Sequence, residues 1–278
     1  MPQEATLATV RRDSERRDRV PQVPPAGVRY VTERQWDGAG PRLYTQPDWA
    51  AALPWVVQGI TARPADMSLF GQSPAGSVLT GWLHLRNELG CRSVIHSRQV
   101  HAADVLVHQG IPAGVLVAGD ADGHATREPA ALLAVSVADC VPISIAAPDA
   151  RAVALLHGGW RGVAAGILER GIEVLRRRLG ARAAALHVHC GPAICGDCFE
   201  VGAEVPTALG LVDRTAAMVS HVDLRAALAQ RAVTAGVDPS RISISTHCTR
   251  CGDSPFHSHR AGCRERQISV LGIRPDFP

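Results

Sequence analysis

The chain has 278 residues, 46% hydrophobic and 20% charged, which is the composition of a globular protein with a substantial core. Its net charge of +3 is small and its basic residues are all arginines, scattered along the chain, so no nucleic-acid partner is expected. The polar N-terminus has no apolar signal segment, and residues 130–147 carry Asp139 and Pro142 at their centre, so neither secretion nor a membrane span is expected.

The eight cysteines are expected to be reduced, because the cytoplasm is the expected compartment of a chain without an export signal. In a reducing compartment, patterned cysteines are more often metal ligands or nucleophiles than disulfide partners. The sequence therefore predicts a cytoplasmic protein whose cysteines take part in metal binding or catalysis.

The N-terminal third is predicted to hold an extension, a strand and a helix. Residues 1–27 mix charges and prolines with few apolar residues and are predicted to be a disordered extension, which leaves residues 28–278 as a single domain. A strand is predicted over Leu53–Ala62 and delivers Arg63 at its end. A helix is predicted over Leu79–Leu89, whose large apolar residues fall near one face. That face contains Trp82, Leu83, Leu85 and Leu89.

Strand segments around a polar centre are predicted over Ser93–His108. In an extended chain Gln99 and His101 lie two residues apart and therefore share a face. The turn Gly119–Gly123 follows, and its aspartates are expected to be solvated.

The most apolar stretch, Leu132–Gly162, is predicted to be a buried β-hairpin, because Pro148–Ala150 joins two runs rich in Val, Ile and Leu. Asp139–Cys140 interrupts the first run, and a buried polar pair costs free energy unless it has partners or a function. The second run ends at His157 and continues through glycines into a helix start. That local geometry favours an anion close to Arg161.

The C-terminal half is predicted to alternate helices and short strands. One helix covers Val163–Leu179 and ends at Gly180, and another covers Leu224–Ala235. Strands are predicted over Leu186–His189 and Ile242–Ser245, and a further strand follows a loop rich in cysteine and histidine at the end of the chain.

His101, Cys140 and His157 lie in or at the ends of strands that can pack side by side. Two imidazoles and a thiolate form a zinc ligand set with the fourth tetrahedral position open, which is typical of a catalytic site. Such a site can activate water at neutral pH.

The same residues fit two other chemistries. In a Cys/His hydrolase, Cys140 is the nucleophile and His157 the base, with Asp139 or Gln99 orienting. In a type 1 copper centre, two histidines and a cysteine are joined by a weak axial methionine. Copper fits the remaining chain least, since the predicted helices disagree with all-β copper domains and internal methionines are few. These methionines are Met67 and Met218.

Two further cysteine pairs have the spacing of zinc knuckles. They are Cys195 with Cys198 and Cys248 with Cys251. Two CxxC pairs indicate a four-cysteine zinc site, although the stretch between them is longer than in the usual zinc ribbon. The hypothesis is a second, structural zinc; the alternative is four thiols without a metal.

Several segments together resemble the signature blocks of one family. In chain order they are RQVHAADV, SVADCVP, LLHGGWRG, CGPAICGDCFEVG, HCT and HSHRAG. They resemble the YfiH-type laccase-domain family, whose members have been called multicopper polyphenol oxidases and are now viewed as zinc-dependent purine nucleoside phosphorylases. The resemblance covers about residues 54–273 and implies a mixed α/β fold, with central packed β-sheets and flanking helices.

The resemblance also implies roles for individual residues. The family's metal ligands correspond to His101, Cys140 and His157, with zinc as the expected metal and copper as the alternative. An early arginine of the family corresponds to Arg63, and an acid of an EADA-like block corresponds to Asp122. The extra cysteines depart from the family pattern and favour a subfamily with an added structural feature.

The implied function is phosphorolysis of adenosine, inosine or methylthioadenosine, with adenosine deamination as a further activity. Arg63, Gln99 and Arg161 are then expected to hold substrate or phosphate, and Asp122 to act on the leaving base or the ribose hydroxyls. The alternatives are a Cys/His amide hydrolase acting on a peptidoglycan precursor, a copper-dependent polyphenol oxidase, and a metal-binding module without catalysis. The sequence leaves the oligomeric state open.

Overall fold

The computed structural model describes residues 23–211 and 219–276 and places them in two large sheets. Residues 1–22 of the predicted extension lie outside the described residues, as does Met218, so the predicted domain limits stay a prediction. The strands are, in chain order, β1 (Arg29–Val31), β2 (Arg34–Trp36), β3 (Leu43–Thr45), β4 (Val56–Thr61), β5 (Ser93–Arg98), β6 (Val105–His108), β7 (Gly114–Asp120), β8 (Gly123–Thr126), β9 (Ala131–Val137), β10 (Val141–Ala147), β11 (Ala152–Gly158), β12 (His187–Cys190), β13 (Glu200–Gly202), β14 (Val219–His221), β15 (Ile242–Ser245) and β16 (Gln267–Ile273). The helices are α1 (Pro47–Ala52), α2 (Ala75–Glu88), α3 (Trp160–Ala164), α4 (Ile167–Leu179), α5 (Glu204–Ala208) and α6 (Leu224–Thr234), with 3₁₀ turns at Ala183–Ala185 and Pro239–Arg241.

Both large sheets mix parallel and antiparallel strands. The first has the spatial order β1-β15-β12-β10-β11-β8-β6, and the second has the order β2-β3-β4-β16-β9-β5-β7. Strands β13 and β14 form a separate ribbon. In the first sheet Pro142 pairs with His157, Gly123 pairs with Leu156, and Val105 pairs with Gly123. This register brings the chain before β10, the end of β11 and the loop before β6 to one end of the sheet.

The core lies in three apolar layers. Between the sheets, Leu155 of the first sheet packs with Leu133 and Leu271 of the second. Helices α4 and α6 cover the outer face of the first sheet, and α2 covers the outer face of the second. The arrangement confirms the expected central sheets with flanking helices. None of the helices in the described part of the chain has the length and apolar character to cross a membrane.

The predicted hairpin is only partly correct. Strands β10 and β11 pair as expected around the turn at 148–150. The first apolar run is two strands, however, since β9 belongs to the second sheet and the chain crosses to the first sheet at Ala138–Cys140. Asp139 adopts a φ of +86° at this crossing. The hydrophobic pattern cannot reveal the crossing, because both strands are almost completely buried.

The predicted helix over Val163–Leu179 is also divided, because Gly166 has a φ of +90° and separates α3 from α4. The helix predicted over Leu79–Leu89 is confirmed as α2, with Trp82 and Leu85 buried. Leu83 is 39% exposed, so it does not lie on the buried face with them. The strands predicted near residues 53–62, 186–189 and 242–245 are β4, β12 and β15.

The polar centre of Ser93–His108 is a loop. Strand β5 ends at Arg98 and β6 begins at Val105, so Gln99 and His101 do not share the face of a strand. His101 has a φ of +59°, which an extended strand does not allow. The loop takes this conformation because its backbone N–H groups donate to the buried carboxylate of Asp122.

Candidate metal centre and active site

Three potential metal ligands meet at the end of the first sheet. His101 comes from the β5–β6 loop, Cys140 from the crossing before β10, and His157 from β11, and their donor atoms all lie within 4.8 Å of one another. We call these residues the open cluster. The turn after β11 needs glycine there, because a Cβ on Gly159 would lie 2.7 Å from the His101 ring and 3.3 Å from Cys140 Sγ. The structure therefore brings together the ligand set expected from the sequence.

Asp122 holds two residues of the open cluster in place through hydrogen bonds. Its carboxylate accepts hydrogen bonds from the backbone N–H groups of Val100, His101 and Ala102 at 2.8–3.0 Å. It also accepts a hydrogen bond from His157 Nδ1 at 2.8 Å, which leaves Nε2 of that ring for the cluster. The expectation of a solvated aspartate is wrong, because the residue is completely buried. Asp122 thus orients two of the three ligands, as carboxylates behind metal-binding histidines commonly do.

The charges inside the cluster depend on one another. Burial alone would raise the pKa of the Cys140 thiol, but the positive charge of His157 and a hydrogen bond from His101 outweigh it and lower the pKa to about 6. Burial alone would lower the pKa of His157, but the charge of Cys140 and the hydrogen bond to Asp122 raise it to about 9. At neutral pH the pair is therefore a thiolate and an imidazolium. The thiolate is the form of cysteine that binds metals.

A cavity of about 320 Å³ opens on one side of the cluster, and we call it the Phe70 cavity. The rings of Phe70 and His96 are stacked there with centroids 5.9 Å apart. Burial lowers the pKa of His96 to about 4, so the ring is neutral at pH 7. Its Nδ1 donates to the Ala134 carbonyl at 3.0 Å, which leaves Nε2 as an acceptor for the Ser136 hydroxyl at 3.5 Å. Other lining residues include Ser68, Arg98, Gln99, Ser136, His259 and Arg266.

A second cavity of about 320 Å³ lies against the cluster as well, and we call it the Arg161 cavity. His101, Cys140 and His259 line both cavities. The Arg161 guanidinium lies 4.3 Å from the centroid of the Trp160 ring. Within the described residues it has no carboxylate or carbonyl partner, whereas Arg260 on the same wall donates to the Glu200 carbonyl. A cation with no acidic partner among the described residues therefore lies in the cavity that His101 and Cys140 line.

Two of the expected substrate-binding residues lie elsewhere or are already hydrogen-bonded. The side-chain amide of Gln99 lines the Phe70 cavity but pairs with the N–H and C=O groups of Ser136 at 2.7 and 2.9 Å, which fixes the loop against β9. The guanidinium of Arg63 donates to the carbonyl of Ser254. Arg63 is not among the described residues that line either cavity, so the structure does not bring it to the cluster.

Sequence reasoning missed several residues of the Phe70 cavity. Phe70 lies in a segment without any motif, so nothing in the sequence indicates that it lines a site. His96 lies in the predicted strand, but its position under the cavity depends on the pairing of β5 with β9 in the second sheet. Arg266 precedes the last strand, and no local pattern separates it from the other surface arginines.

The protein has two packed mixed sheets with a cluster of two histidines and one cysteine at one end. Comparison with known proteins identifies the class that these features define. Residues 67–274 match the family model described as multi-copper polyphenol oxidoreductase laccase. The chain belongs to this family.

Relatives in the family carry names of nucleoside enzymes. A purine nucleoside phosphorylase of Mycobacterium bovis is 35% identical over 214 residues, covering 73% of this chain and 82% of the relative. A protein named adenosine deaminase RL5, from an unknown prokaryotic organism, is 35% identical over 184 residues, covering 63% of this chain and 68% of the relative.

Solved structures share the fold. YlmD from Geobacillus stearothermophilus aligns with a TM-score of 0.74 and 27% identity, covering 87% of this chain and 99% of that one. YfiH from Bacillus licheniformis aligns with a TM-score of 0.76 at 24% identity, covering 85% of this chain and 98% of that one. The mixed α/β fold implied by the sequence resemblance is confirmed.

Proposed function

We propose that the protein is a zinc-dependent purine nucleoside phosphorylase that cleaves adenosine, inosine or methylthioadenosine, and that it also deaminates adenosine. The observation that carries the proposal is the position of the open cluster between two cavities, one with a stacked aromatic pair and one with an arginine that has no carboxylate partner among the described residues. The names of the relatives support the same choice.

The donor set fits zinc. Two imidazoles and a thiolate leave one tetrahedral position open, and His157 is oriented by a buried carboxylate as zinc sites require. Zinc bound by these residues would supply a Lewis acid for a phosphoryl oxygen or for water. Copper fits less well, because a type 1 centre needs an axial methionine, and Met67, the only methionine among residues 23–211 and 219–276, has its sulfur in the core, where a Cβ on Gly81 of α2 would approach it to 3.2 Å.

The two cavities suit the two substrates. The Arg161 guanidinium has donors in a fork that matches phosphate, so the Arg161 cavity is assigned to phosphate. The Phe70 cavity is assigned to the nucleoside: Phe70 is 57% exposed and offers a ring face for the purine. His96 Nε2 can accept a hydrogen bond from a ribose hydroxyl in place of its long 3.5 Å contact with the Ser136 hydroxyl. Because both cavities share Cys140 and His101, phosphate and ribose meet at the cluster.

The assignment gives each residue a task in the reaction. A phosphate oxygen attacks C1′ of the ribose, the C–N glycosidic bond breaks, and its electron pair leaves with the purine, which takes up a proton. Positive charge develops on the ribose, so an anion held by Arg161 lowers the barrier. In deamination, water attacks the purine and ammonia leaves. Asp122 positions His101 and His157 instead of contacting the base, because it is buried beneath them.

Base release tests this function directly. The protein is expected to release hypoxanthine from inosine and adenine from adenosine or methylthioadenosine only when phosphate is present, and ammonia from adenosine without phosphate. Arg161→Ala should raise the KM for phosphate about tenfold or more, since a charge-assisted contact is lost. Arg176→Ala, on the exposed side of α4, is the matched control. Absence of phosphate-dependent base release would overturn the proposal.

One observation favours a second function, that of a Cys/His amide hydrolase. Cys140, His157 and Asp122 form a chain of nucleophile, base and orienting acid, and the lowered pKa of the thiol to about 6 gives a reactive thiolate. The two functions respond differently to metal removal. A phosphorylase of the proposed kind loses activity with its zinc, whereas a thiol hydrolase retains cleavage of a peptidoglycan precursor amide in the metal-free state and loses it on alkylation of Cys140.

A further inference from the structure

A second set of metal donors lies outside the open cluster. Cys195 and Cys198 lie in the loop between β12 and β13, and Cys248 and Cys251 lie in the loop after β15. Cys195 and Cys248 are 53 residues apart in sequence, yet the four Sγ atoms all lie within 4.8 Å of one another. All four are free thiols. We call them the four-cysteine cluster.

Backbone N–H groups stabilise the thiolate form of one of these cysteines. Cys248 Sγ accepts hydrogen bonds from the N–H groups of Cys195, Arg250 and Cys251 at 3.3, 3.3 and 3.5 Å. Hydrogen bonds to the charged form of a group favour that form, so the fold stabilises a thiolate here. A cysteine in a disulfide carries no charge and needs no such donors, whereas a thiolate that binds a metal is charged and is stabilised by them.

Positive charge surrounds the cluster and offsets the charge of four thiolates. The guanidinium of Arg225 is buried, pairs with Asp223, and donates to the carbonyls of Ser245 and His247 just before Cys248. Arg250 donates to the carbonyl of Cys198 at 3.0 Å. Arg250 therefore ties the two knuckles together, and the positive charges of both arginines lower the electrostatic cost of an anionic metal site.

Both knuckles also hold the residue that precedes Cys140. The N–H of Ile194, next to Cys195, donates to the Asp139 carbonyl at 3.1 Å. The hydroxyl of Thr249, between Cys248 and Arg250, donates to the Asp139 carboxylate at 2.5 Å. The backbone of Asp139 at the sheet crossing is thus fixed by the loops that carry the four cysteines.

We propose that the four-cysteine cluster binds a structural zinc ion, which locks the two knuckles onto Asp139 and so holds Cys140 in place. Four thiolates complete a tetrahedron and leave no open position, which is the arrangement of structural zinc sites. The ion is a second one, separate from the metal of the open cluster. The zinc count does not depend on which reaction the open cluster performs, so failure of the proposed function would leave this inference intact.

Elemental analysis of the full-length protein, purified without added metal, tests the proposal. We expect about two zinc ions per chain, one of them lost in Cys251→Ser and the other in Cys140→Ala. Cys91→Ser, at a buried thiol that belongs to neither cluster and lies in the core under α2, should keep both ions. A chain whose zinc content is unchanged in Cys251→Ser, or whose second metal is iron, would overturn the proposal.

A second measurement leaves the knuckles intact, in case Cys251→Ser does not fold. In Cys140→Ala, the remaining zinc should show an X-ray absorption spectrum of four sulfur ligands at about 2.3 Å. Nitrogen or oxygen ligands around that ion would contradict a four-cysteine site. Base release by the unmodified protein, measured on the same sample, reports on the proposed function separately.

Discussion

The open cluster and the four-cysteine cluster differ in donors, access and support. His101, Cys140 and His157 provide three donors between two cavities, and His101 is exposed. The other cluster has four sulfur donors, with backbone N–H groups directed at Cys248. The open cluster is held by a side chain, the buried carboxylate of Asp122. The difference indicates that the first set is built to admit a substrate and the second to hold two loops together.

The two clusters are also connected. Asp139 accepts hydrogen bonds from the knuckle loops and is followed directly by Cys140. A metal bound by the four-cysteine cluster would therefore be linked to the open cluster through a single residue. Variants that affect one cluster and spare the other can therefore separate their roles.

The largest effect is expected for Cys140→Ala. It removes the only sulfur donor of the open cluster and should reduce base release by about 100-fold or more, since loss of a ligand exceeds the effect of losing its support. Zinc analysis should show one ion retained in the four-cysteine cluster. Cys190→Ala, at a buried thiol on β12, is the control and should keep both the activity and the metal. Equal activity in the two variants would refute the role of Cys140.

Asp122→Asn should have the next largest effect. The amide keeps the size of the side chain but removes the negative charge that supports His157 and supplies a donor where only acceptors fit, so a loss of about 10- to 100-fold in kcat is expected. The raised pKa of His157 should also fall towards its ordinary value, which is measured by NMR titration of metal-free protein. Asp48→Asn, at a surface ion pair, is the control. An unchanged kcat with an unchanged titration would count against the positioning role.

Metal removal should expose the reactivity of Cys140. With a thiol pKa of about 6, most of the residue is thiolate at pH 7, and alkylation by iodoacetamide should be about tenfold slower at pH 5 as the thiolate is protonated. Cys190 should stay unmodified at both pH values, because burial raises its pKa to about 12. Mass spectrometry of the labelled peptides measures both rates. Alkylation that is as fast in the zinc-loaded protein as in the metal-free one would exclude Cys140 as a ligand.

The two clusters differ in how well the sequence predicts them. The four cysteines form two CxxC pairs, so local spacing indicates a metal site before any fold is known. The open cluster has no such spacing, and its ligands come from three separate segments. It was predicted because polar residues interrupt apolar strands and because the surrounding blocks resemble a family.

What the sequence could not predict are features set by sheet assignment. The crossing at Asp139 joins two strands with the same apolar character, so periodicity cannot place β9 and β10 in different sheets. The burial of Asp122 depends on backbone N–H groups of a loop 20 residues earlier, which no local pattern encodes. Arg63 follows strand β4 closely, as the sequence predicts, but the sequence does not show that its guanidinium donates to the Ser254 carbonyl; its role in binding substrate stays a prediction.

The smallest effect is expected for Thr249→Val, which removes one of the two hydrogen-bond links between the clusters and leaves the Ile194 link and all seven candidate ligands intact. The Asp139 carboxylate loses its 2.5 Å hydrogen bond while remaining buried, so the free energy of unfolding should fall by about 1–3 kcal/mol. Thr246→Val, at an exposed hydroxyl bonded to Thr32, should change stability little and is the matched control. Both variants should keep two zinc ions. A drop in kcat for Thr249→Val alone would show that the structural site acts on the reactive one through Asp139. If kcat stays unchanged while stability falls, the four-cysteine cluster only holds the loops together.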